Sequence, residues 1–168
     1  TVGYKGSMLA RHVIENRVNS VINTDKKGNA WWIFNFPFKY INEPIFVLTC
    51  DNITNIDFNL IEIDYLKKGR PECFLIPVKP INKLDGDFIH KEKNVVTYLS
   101  RKRKSDTYCS GIQIINPYKI NKIMNYTSTF NEVWKKLILK KKLKVSDVLP
   151  KKWFTIDKLS QLKLYKKK

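Results

Sequence analysis

The chain has 168 residues, of which 43% are hydrophobic and 28% charged, and its formal net charge at pH 7 is +17. This composition is typical of one soluble globular domain. No apolar run approaches the about 20 residues of a membrane-spanning helix, and the N-terminus does not resemble a signal peptide, so we expect no membrane partner. Three widely separated cysteines in apolar runs, Cys50, Cys73 and Cys109, predict reduced core thiols in a cytoplasmic protein rather than disulfides or a zinc site.

The positive charge is compatible with nucleic-acid binding, but its distribution favours a small anionic ligand. The lysine clusters at residues 135–136, 140–142, 151–152 and 166–168 lie on predicted helix faces or in the tail, where solvated lysines are common. The aromatic residues lie mostly in apolar runs and do not alternate with basic residues, as a base-stacking surface requires. We therefore expect no nucleic-acid partner.

The N-terminal part is predicted to alternate short strands with one helix. A strand at residues 2–4 precedes a helix over residues 7–16, for which Ser7 is the predicted N-cap. A second strand follows at residues 18–23. Residues 24–30 then form a polar loop.

The strongest strand signal lies at residues 45–49. This short apolar run does not alternate, which is typical of a strand covered on both faces in a parallel sheet. It stops at Asp51. Open α/β sheets bind ligands at the carboxyl ends of their strands, so Asp51 is a candidate for the mouth of a site. The alternative, that Asp51 only turns the chain or caps the next element, is equally compatible with the pattern.

A helix and a buried strand follow this stretch. Asp57 is well placed as the N-cap of a helix that ends at Gly69, and residues 72–78 form the next strand. The order strand, helix, strand is typical of a parallel sheet with right-handed crossovers. We therefore predict a mostly parallel sheet.

The second half of the chain departs from this alternation. Short strands at residues 88–90 and 95–99 flank a polar turn and predict an antiparallel hairpin, and a longer strand follows at residues 107–115.

The final predicted elements are two helices, a strand and a terminal helix. The helices cover residues 118–124 and 130–138, and the second has one apolar face. A strand at residues 152–156 then leads into the terminal helix, for which Asp157 is the predicted N-cap.

Six segments recur in the order of one enzyme family: residues 2–5 (VGYK), 28–30 (GNA), 49–52 (TCDN), 86–88 (GDF), 110–112 (SGI) and 153–154 (WF), the last followed by a leucine-rich helix. In this order they resemble the sugar-phosphate nucleotidyltransferases. Those enzymes join a nucleoside triphosphate to a sugar 1-phosphate and release pyrophosphate. The resemblance implies a single α/β domain with a mixed, mostly parallel Rossmann-like sheet, flanked by helices and carrying an antiparallel hairpin insertion.

The resemblance also implies the binding residues. Gly28, Asn29 and Ala30 match the segment that lies against the nucleobase, and Gly111 matches the glycine beside the sugar pocket. A lysine near the end of the hairpin contacts the sugar phosphate in this family. The basic run at residues 101–104 occupies that region and leaves the choice of cation open; Lys102 is our candidate.

The catalytic centre implied by the resemblance depends on Mg²⁺. Asp51 matches the metal-binding aspartate, a hard oxygen ligand. The second metal-binding aspartate of the family is replaced by Thr155, and Asp157 is displaced from that position by two residues, about 6–7 Å along a strand. Asp51 is therefore the predicted catalytic residue and metal ligand, with Asp157 as the candidate second ligand.

A second departure is the family's N-terminal glycine-rich phosphate loop, which has no counterpart in residues 1–168. We therefore expect a nucleotidyltransferase-like domain over residues 1–168 that lacks the N-terminal βαβ portion of a longer enzyme. Without that loop, the triphosphate loses its backbone N–H cradle, and the chain alone is expected to have little or no activity.

The predicted partners are a nucleoside triphosphate and a sugar phosphate. The alternatives are a non-catalytic homologue that binds nucleotide sugars and, less favoured, a basic nucleic-acid-binding module. His12 and His90 are isolated, so a hydrolase triad has no support. The chain also has no P-loop, and residues 51–53 (DNI) at the acidic strand end do not form the Asp-x-Asp pair typical of a glycosyltransferase.

Overall fold

The computed structural model describes residues 1–81, 84 and 86–166. Its α-helices are α1 (Gly6–Glu15), α2 (Phe58–Lys67), α3 (Pro117–Ile123), α4 (Phe130–Leu139) and α5 (Leu159–Tyr165), and two short 3-10 helices cover Trp31–Phe34 and Phe38–Tyr40. Its strands are β1 (Ile45–Val47), β2 (Asn52–Asn55), β3 (Cys73–Val78), β4 (Asp87–Glu92), β5 (Val95–Ser100), β6 (Tyr108–Ile115), β7 (Leu143–Val145) and β8 (Lys152–Thr155). The basic tail at residues 167–168 lies outside the described residues.

Six strands form one mixed sheet in the order β1-β6-β3-β7-β5-β4, and β4 also pairs with β6. The predicted α/β class and the antiparallel β4–β5 hairpin are confirmed. The prediction of mostly parallel pairing is wrong, because within the described chain only β3 and β7 pair in parallel. The reason is the position of β6. It lies between β1 and β3 and runs antiparallel to both, so strands that point the same way are not neighbours.

The sheet separates two apolar clusters, which explains why β3 is buried along its whole length. Cys73 and Leu75 lie in the cluster that contains α3 and α4, whereas Phe74 and Ile76 lie in the cluster that contains α2. Each large side chain buried in this way contributes about 1.5–3 kcal/mol. The helices therefore hold the sheet from both faces and fix the positions of its strand ends.

Local capping signals are only partly confirmed at the helix ends. Asp57 caps α2 as predicted, since its Oδ1 accepts a hydrogen bond from the Leu60 amide at 3.1 Å. Ser7 does not cap α1; the N-cap position is Lys5, in a left-handed conformation. Asp157 does not cap α5 either, because that helix begins one residue later, with Lys158 at the N-cap position.

The N-terminal strands and the last strand differ from the prediction. Residues 2–4 and 18–23 contribute only one isolated parallel bridge, between Val2 and Asn23. The last predicted strand is confirmed as β8, which pairs with β2 in a separate antiparallel ribbon. Among the described helices, none is long and apolar enough to cross a bilayer.

Candidate functional site

A cleft of about 530 Å³ opens between the polar loop and the end of β1. Gly28 and Asn29 line it on one side, and residues 47–50 line it on the other. Gly3 and Phe130 are among the other residues that line it. The structure therefore brings two of the predicted nucleotide-binding residues to the carboxyl end of β1. We call this space the loop cleft.

The conformation of the loop is set by its packing against the start of α4. The Ala30 amide donates a hydrogen bond to the Ser128 carbonyl oxygen at 3.1 Å, and Asn29 Oδ1 accepts one from the Phe130 amide at 2.9 Å. A Cβ at Gly28 would lie 2.0 Å from the Ser128 carbonyl oxygen, so only glycine fits there. Ala30 is fully buried in the core and does not line the loop cleft.

Asp51 lies in the turn that joins β1 to β2, next to the loop cleft. Its backbone carbonyl accepts a hydrogen bond from the Ile156 amide at 2.9 Å, and its Oδ1 accepts one from Asn52 Nδ2 at 3.1 Å. The side chain is half-buried. Within the described residues, no lysine, arginine or histidine forms an ion pair with it. Asp51 therefore carries a negative charge that an external cation can neutralise.

The β2–β8 ribbon brings the second candidate ligand region beside Asp51. Thr155 pairs with Asn52 across the ribbon and is buried. Asp157 is exposed beyond the strand, and its amide donates a hydrogen bond to Gln161 Oε1 at 2.6 Å. Searched over the described residues, the chain holds no group of three or more His, Cys, Asp or Glu side chains suited to a metal ion.

Gly111 lies at the same end of the sheet. Its φ of +83° is a left-handed conformation that favours glycine, and a Cβ there would be 3.5 Å from Thr49 Cγ2. The preceding carbonyl, of Ser110, accepts a hydrogen bond from Asn52 Nδ2 at 3.3 Å. The structure thus places the predicted sugar-pocket glycine directly beside the residues that flank Asp51.

The predicted phosphate-binding cation, Lys102, is exposed in the loop between β5 and β6 and does not line the loop cleft. Its amide donates a hydrogen bond to Ser100 Oγ at 3.2 Å. The side chains of its two neighbours contact other residues. Arg101 Nε lies 3.2 Å from Asp87 Oδ1, and the Arg103 guanidinium lies 5.5 Å from the centre of the Tyr98 ring.

Sequence reasoning missed the side-chain role of Asn52. Its amide nitrogen donates to Thr49 Oγ1 as well as to Asp51 and Ser110, and its oxygen accepts a hydrogen bond from Trp153 Nε1. Asn52 thereby joins the end of β1, strand β6 and strand β8. The available signal was its position directly after Asp51, but Ser110 and Trp153 are too far away in sequence to be identified as its partners.

Two of the three cysteines, Cys73 and Cys109, are poorly suited to act as nucleophiles. Burial raises the pKa of the Cys109 thiol to about 12 and also raises the pKa of Cys73 well above its usual value. All three thiols are free, but the prediction that they lie in the core is wrong for Cys50, which is exposed.

No protein-family model and no curated protein matches this sequence, but solved structures do. The inositol-1-phosphate CTP transferase from T. maritima superposes with a TM-score of 0.71 at 16% identity, over 98% of this chain and 72% of that chain. HddC from Yersinia pseudotuberculosis superposes with a TM-score of 0.69 at 19% identity, over 99% of this chain and 76% of that chain, and has also been solved complexed with GMP-PN.

A structure assigned as a glucose-1-phosphate thymidylyltransferase, from Bacillus anthracis, matches with a TM-score of 0.64 at 11% identity. The match covers 86% of this chain, which spans 62% of that protein. At such low identity the likeness establishes the arrangement of the backbone and not the activity. The chain has the fold of the sugar-phosphate nucleotidyltransferases.

Proposed function

We propose that this protein takes part in nucleotidyl transfer from a nucleoside triphosphate to a phosphorylated acceptor such as a sugar 1-phosphate. The observation that carries the proposal is the loop cleft. In a chain with the nucleotidyltransferase fold, it places Gly28 and Asn29 opposite the end of β1, beside Asp51. The cleft volume of about 530 Å³ lies within the usual range for small-ligand sites.

In the proposed reaction, a phosphate oxygen of the acceptor attacks the α-phosphorus of the triphosphate. The bond from that phosphorus to the oxygen bridging the α- and β-phosphates breaks, and pyrophosphate leaves. No protein nucleophile is needed, because catalysis consists of positioning and charge neutralisation.

Asp51 fits the requirements of a magnesium ligand. Its carboxylate is half-buried and has no cationic partner in the described chain, and Mg²⁺ sites for nucleotides often use one or two carboxylates together with substrate phosphates. When bound, Mg²⁺ would neutralise phosphate charge and orient the phosphates. Asp157 fits less well, because it is exposed at the start of α5. We propose Asp51 as the principal protein ligand.

Within the protein, Asn52 orients Asp51. The hydrogen bond from Asn52 Nδ2 to Asp51 Oδ1 fixes one carboxylate oxygen, and the Trp153 indole holds the Asn52 oxygen in place. The other carboxylate oxygen remains available to a ligand. On the opposite side, Gly28 and Asn29 line the loop cleft and can contact a planar base there.

The direct test measures pyrophosphate release from each nucleoside triphosphate in the presence of Mg²⁺ and sugar 1-phosphates. We expect release only when both substrates are present, and a loss of at least tenfold in Asp51→Asn. Asp106→Asn, which makes the same change in an exposed loop, is the matched control. Failure of every nucleotide to raise the melting temperature would overturn the proposal, since a ligand of the folded state must stabilise it.

A second candidate, nucleotide-sugar binding without turnover, is favoured by one observation. By the resemblance, Thr155 replaces the family's second acidic ligand, and Asp157 is exposed beyond the end of β8. Binding of a nucleotide sugar that raises the melting temperature, together with no pyrophosphate release, would select this candidate.

Nucleic acid is the third arm of the same test. Given the net charge of +17, we expect oligonucleotides to bind weakly, with an affinity that falls steeply with salt. Tight, salt-resistant oligonucleotide binding, with no change in melting temperature on addition of nucleotides, would favour nucleic-acid binding over nucleotidyl transfer.

A further inference from the structure

Helix α2 carries large apolar side chains on its outer face as well as on its inner face. Ile61 and Tyr65 are 0% and 3% exposed and pack against the sheet. On the outside, Leu60, Ile63 and Leu66 are 50%, 47% and 42% exposed. A surface helix of a globular protein is normally polar on its outer face, and a helix that is apolar all round is normally buried. The outer face of α2 therefore has the composition of an interface.

The three exposed side chains form one continuous stripe. At about 100° per residue, Leu60 and Leu66 lie about 60° to either side of Ile63, and residues three apart on a helix are neighbours. Ile61 and Tyr65 lie on the opposite side, so the stripe points directly away from the sheet. We call residues 60, 63 and 66 the outer stripe.

The outer stripe is complementary to a second copy of itself. If two α2 helices pack antiparallel about a two-fold axis, Ile63 lies opposite Ile63 of the partner subunit. Leu60 is then level with Leu66 of the partner subunit, and Leu66 with Leu60 of the partner subunit. A patch that matches its own copy in this way is the requirement of a two-fold interface.

A groove of about 410 Å³ extends the apolar surface on the Leu66 side of the stripe. Phe46, Phe58 and Glu62 are among the residues that line it, and the two phenyl rings meet edge to face with centres 5.1 Å apart. In the antiparallel pair, Leu66 of the partner subunit lies on this same side and level with Leu60. It therefore faces the wall formed by Phe58 and Glu62, which adds apolar contact beyond the stripe.

The distribution of charge favours a second copy at this surface. The net charge of +17 opposes association of two copies, but residues 57–67 contain the carboxylates of Asp57, Glu62 and Asp64 against the single lysine Lys67. Lys67 is exposed and forms no ion pair within the described residues. Antiparallel packing places Lys67, in the last turn of α2, near Asp57 of the partner subunit, at the start of the other helix. The two ends of α2 therefore attract each other's copies.

We propose that the outer stripe of α2 is the two-fold interface of a homodimer. Ile63 lies at its centre, and a pairing of Lys67 with Asp57 of the partner subunit occurs on each side. The proposal does not depend on the proposed function, because no residue of α2 lines the loop cleft.

The first test is sedimentation equilibrium of the full chain over a range of concentrations. Because the surface is small, we expect a weak dimer that becomes populated at about 0.1–1 mM protein. Ile63→Lys places two ammonium groups opposite each other and should weaken association by at least about tenfold. Its melting temperature, measured at micromolar protein, should match that of the wild type because the side chain is half exposed.

Ile14→Lys is the matched control. It makes the same change on another ten-residue helix, α1, where Ile14 is 58% exposed. The control should associate as the wild type does. Equal weakening in both variants would overturn the proposal, because it would reflect the added charge alone.

Mixing two charged variants tests the two-fold axis directly. Ile63→Lys and Ile63→Glu should each be monomeric when alone, whereas an equimolar mixture should form a heterodimer, because the ammonium and the carboxylate then face each other. No association in the mixture would place Ile63 away from its own copy and would overturn the antiparallel arrangement.

Charge reversal at Lys67 opposes the effect of net charge. Lys67→Glu lowers the net positive charge and so reduces general repulsion, yet it should weaken the dimer about threefold or more, because it faces Asp57 of the partner subunit. Lys140→Glu makes the same change at an exposed lysine beyond the end of α4 and should leave association unchanged or stronger.

Three further results would reject the interface. These are a wild-type protein that stays monomeric up to about 1 mM, a dimer that Ile63→Lys does not weaken, and open-ended assembly beyond two copies. A dimer that responds as expected, in a protein with no response to any nucleotide, supports this inference while rejecting the proposed function.

Discussion

The indole N–H of Trp153 donates a hydrogen bond to the side-chain oxygen of Asn52, across 101 residues of sequence. This contact ties strand β8 to the turn that carries Asp51, and Asn52 in turn reaches Ser110 on β6. The two-stranded ribbon is therefore joined to the six-stranded sheet through one amide side chain. Removal of its partner should loosen the candidate site.

We expect Trp153→Phe to reduce the free energy of unfolding by about 1–2 kcal/mol, because it leaves the partly buried Asn52 oxygen unpaired. It should also weaken Mg²⁺-dependent nucleotide binding, because Asp51 loses the support of its neighbour. Chemical denaturation and nucleotide titration measure the two effects. Trp31→Phe is the matched control, since its indole N–H has no hydrogen-bond partner within the described residues. An effect on nucleotide affinity as large in the control would contradict this account.

Gly28→Ala tests the packing of the loop. The added methyl would lie 2.0 Å from the Ser128 carbonyl oxygen, so the loop must shift away from α4, at a cost of about 3 kcal/mol. Thermal unfolding should show a large decrease in melting temperature. Gly3→Ala is the control, because a methyl there meets its nearest atom at 3.8 Å. If both variants melt like the wild type, the close approach of Gly28 to Ser128 is not a feature of the folded protein.

Asp51→Asn distinguishes a metal ligand from a turn residue. If Asp51 binds Mg²⁺, the variant should keep its fold, or gain slight stability through loss of an unpaired charge, while Mg²⁺-dependent nucleotide binding disappears. If Asp51 only forms the turn, asparagine is nearly equivalent and binding should not change. Thermal melts and nucleotide titrations with and without Mg²⁺, on both proteins, separate the two outcomes.

The contacts of Asp64 predict loss of stability in acid. Burial alone would raise the pKa of this carboxyl, but the Ser146 hydroxyl at 2.6 Å, the Asp147 amide at 3.0 Å and the Lys68 ammonium at 3.1 Å lower it below its usual value. Because the folded pKa lies below the unfolded value, this stabilisation is complete above about pH 4 and is lost as the pH falls through the folded pKa.

Asp64→Asn should therefore reduce the free energy of unfolding by about 2 kcal/mol at pH 7 and flatten its decrease below about pH 4. Denaturation measured from neutral to acidic pH gives both quantities. Asp57→Asn in the same helix should stay close to the wild type at pH 7, because asparagine caps helices as well as aspartate. If the stability of Asp64→Asn falls in acid as steeply as that of the wild type, Asp64 is not the cause of the acid sensitivity.

The sequence predicts elements whose signals are local. Asp57 caps α2 because its partner is only three residues away, and the β4–β5 hairpin follows from two adjacent apolar runs. Strand β7 was not predicted, because its three residues lie in a lysine-rich segment whose pattern is typical of a solvent-exposed helix end. The position of β6 between β1 and β3 was also missed, since no local pattern records which distant strand fills the centre of a sheet.

The same limit applies to the candidate site. The motif that ends at Asn52 indicates the end of a strand, and the structure places Gly28, Asn29 and Gly111 around it. The motif does not indicate that Trp153 is the partner of Asn52, because that contact depends on how the two-stranded ribbon packs against the six-stranded sheet.

The central position of β6 also bears on how the chain assembles during synthesis. Strand β1 ends at residue 47, yet its strand partner among the described residues is β6, which begins at Tyr108. About 60 further residues must leave the ribosome after β1 before β1 can pair with β6. One edge of β3 also stays unpaired until β6 has been synthesised. Contacts this distant in sequence slow folding and leave apolar edges open in the growing chain. A nascent chain stopped before Tyr108 should therefore depend on chaperones far more than the completed domain.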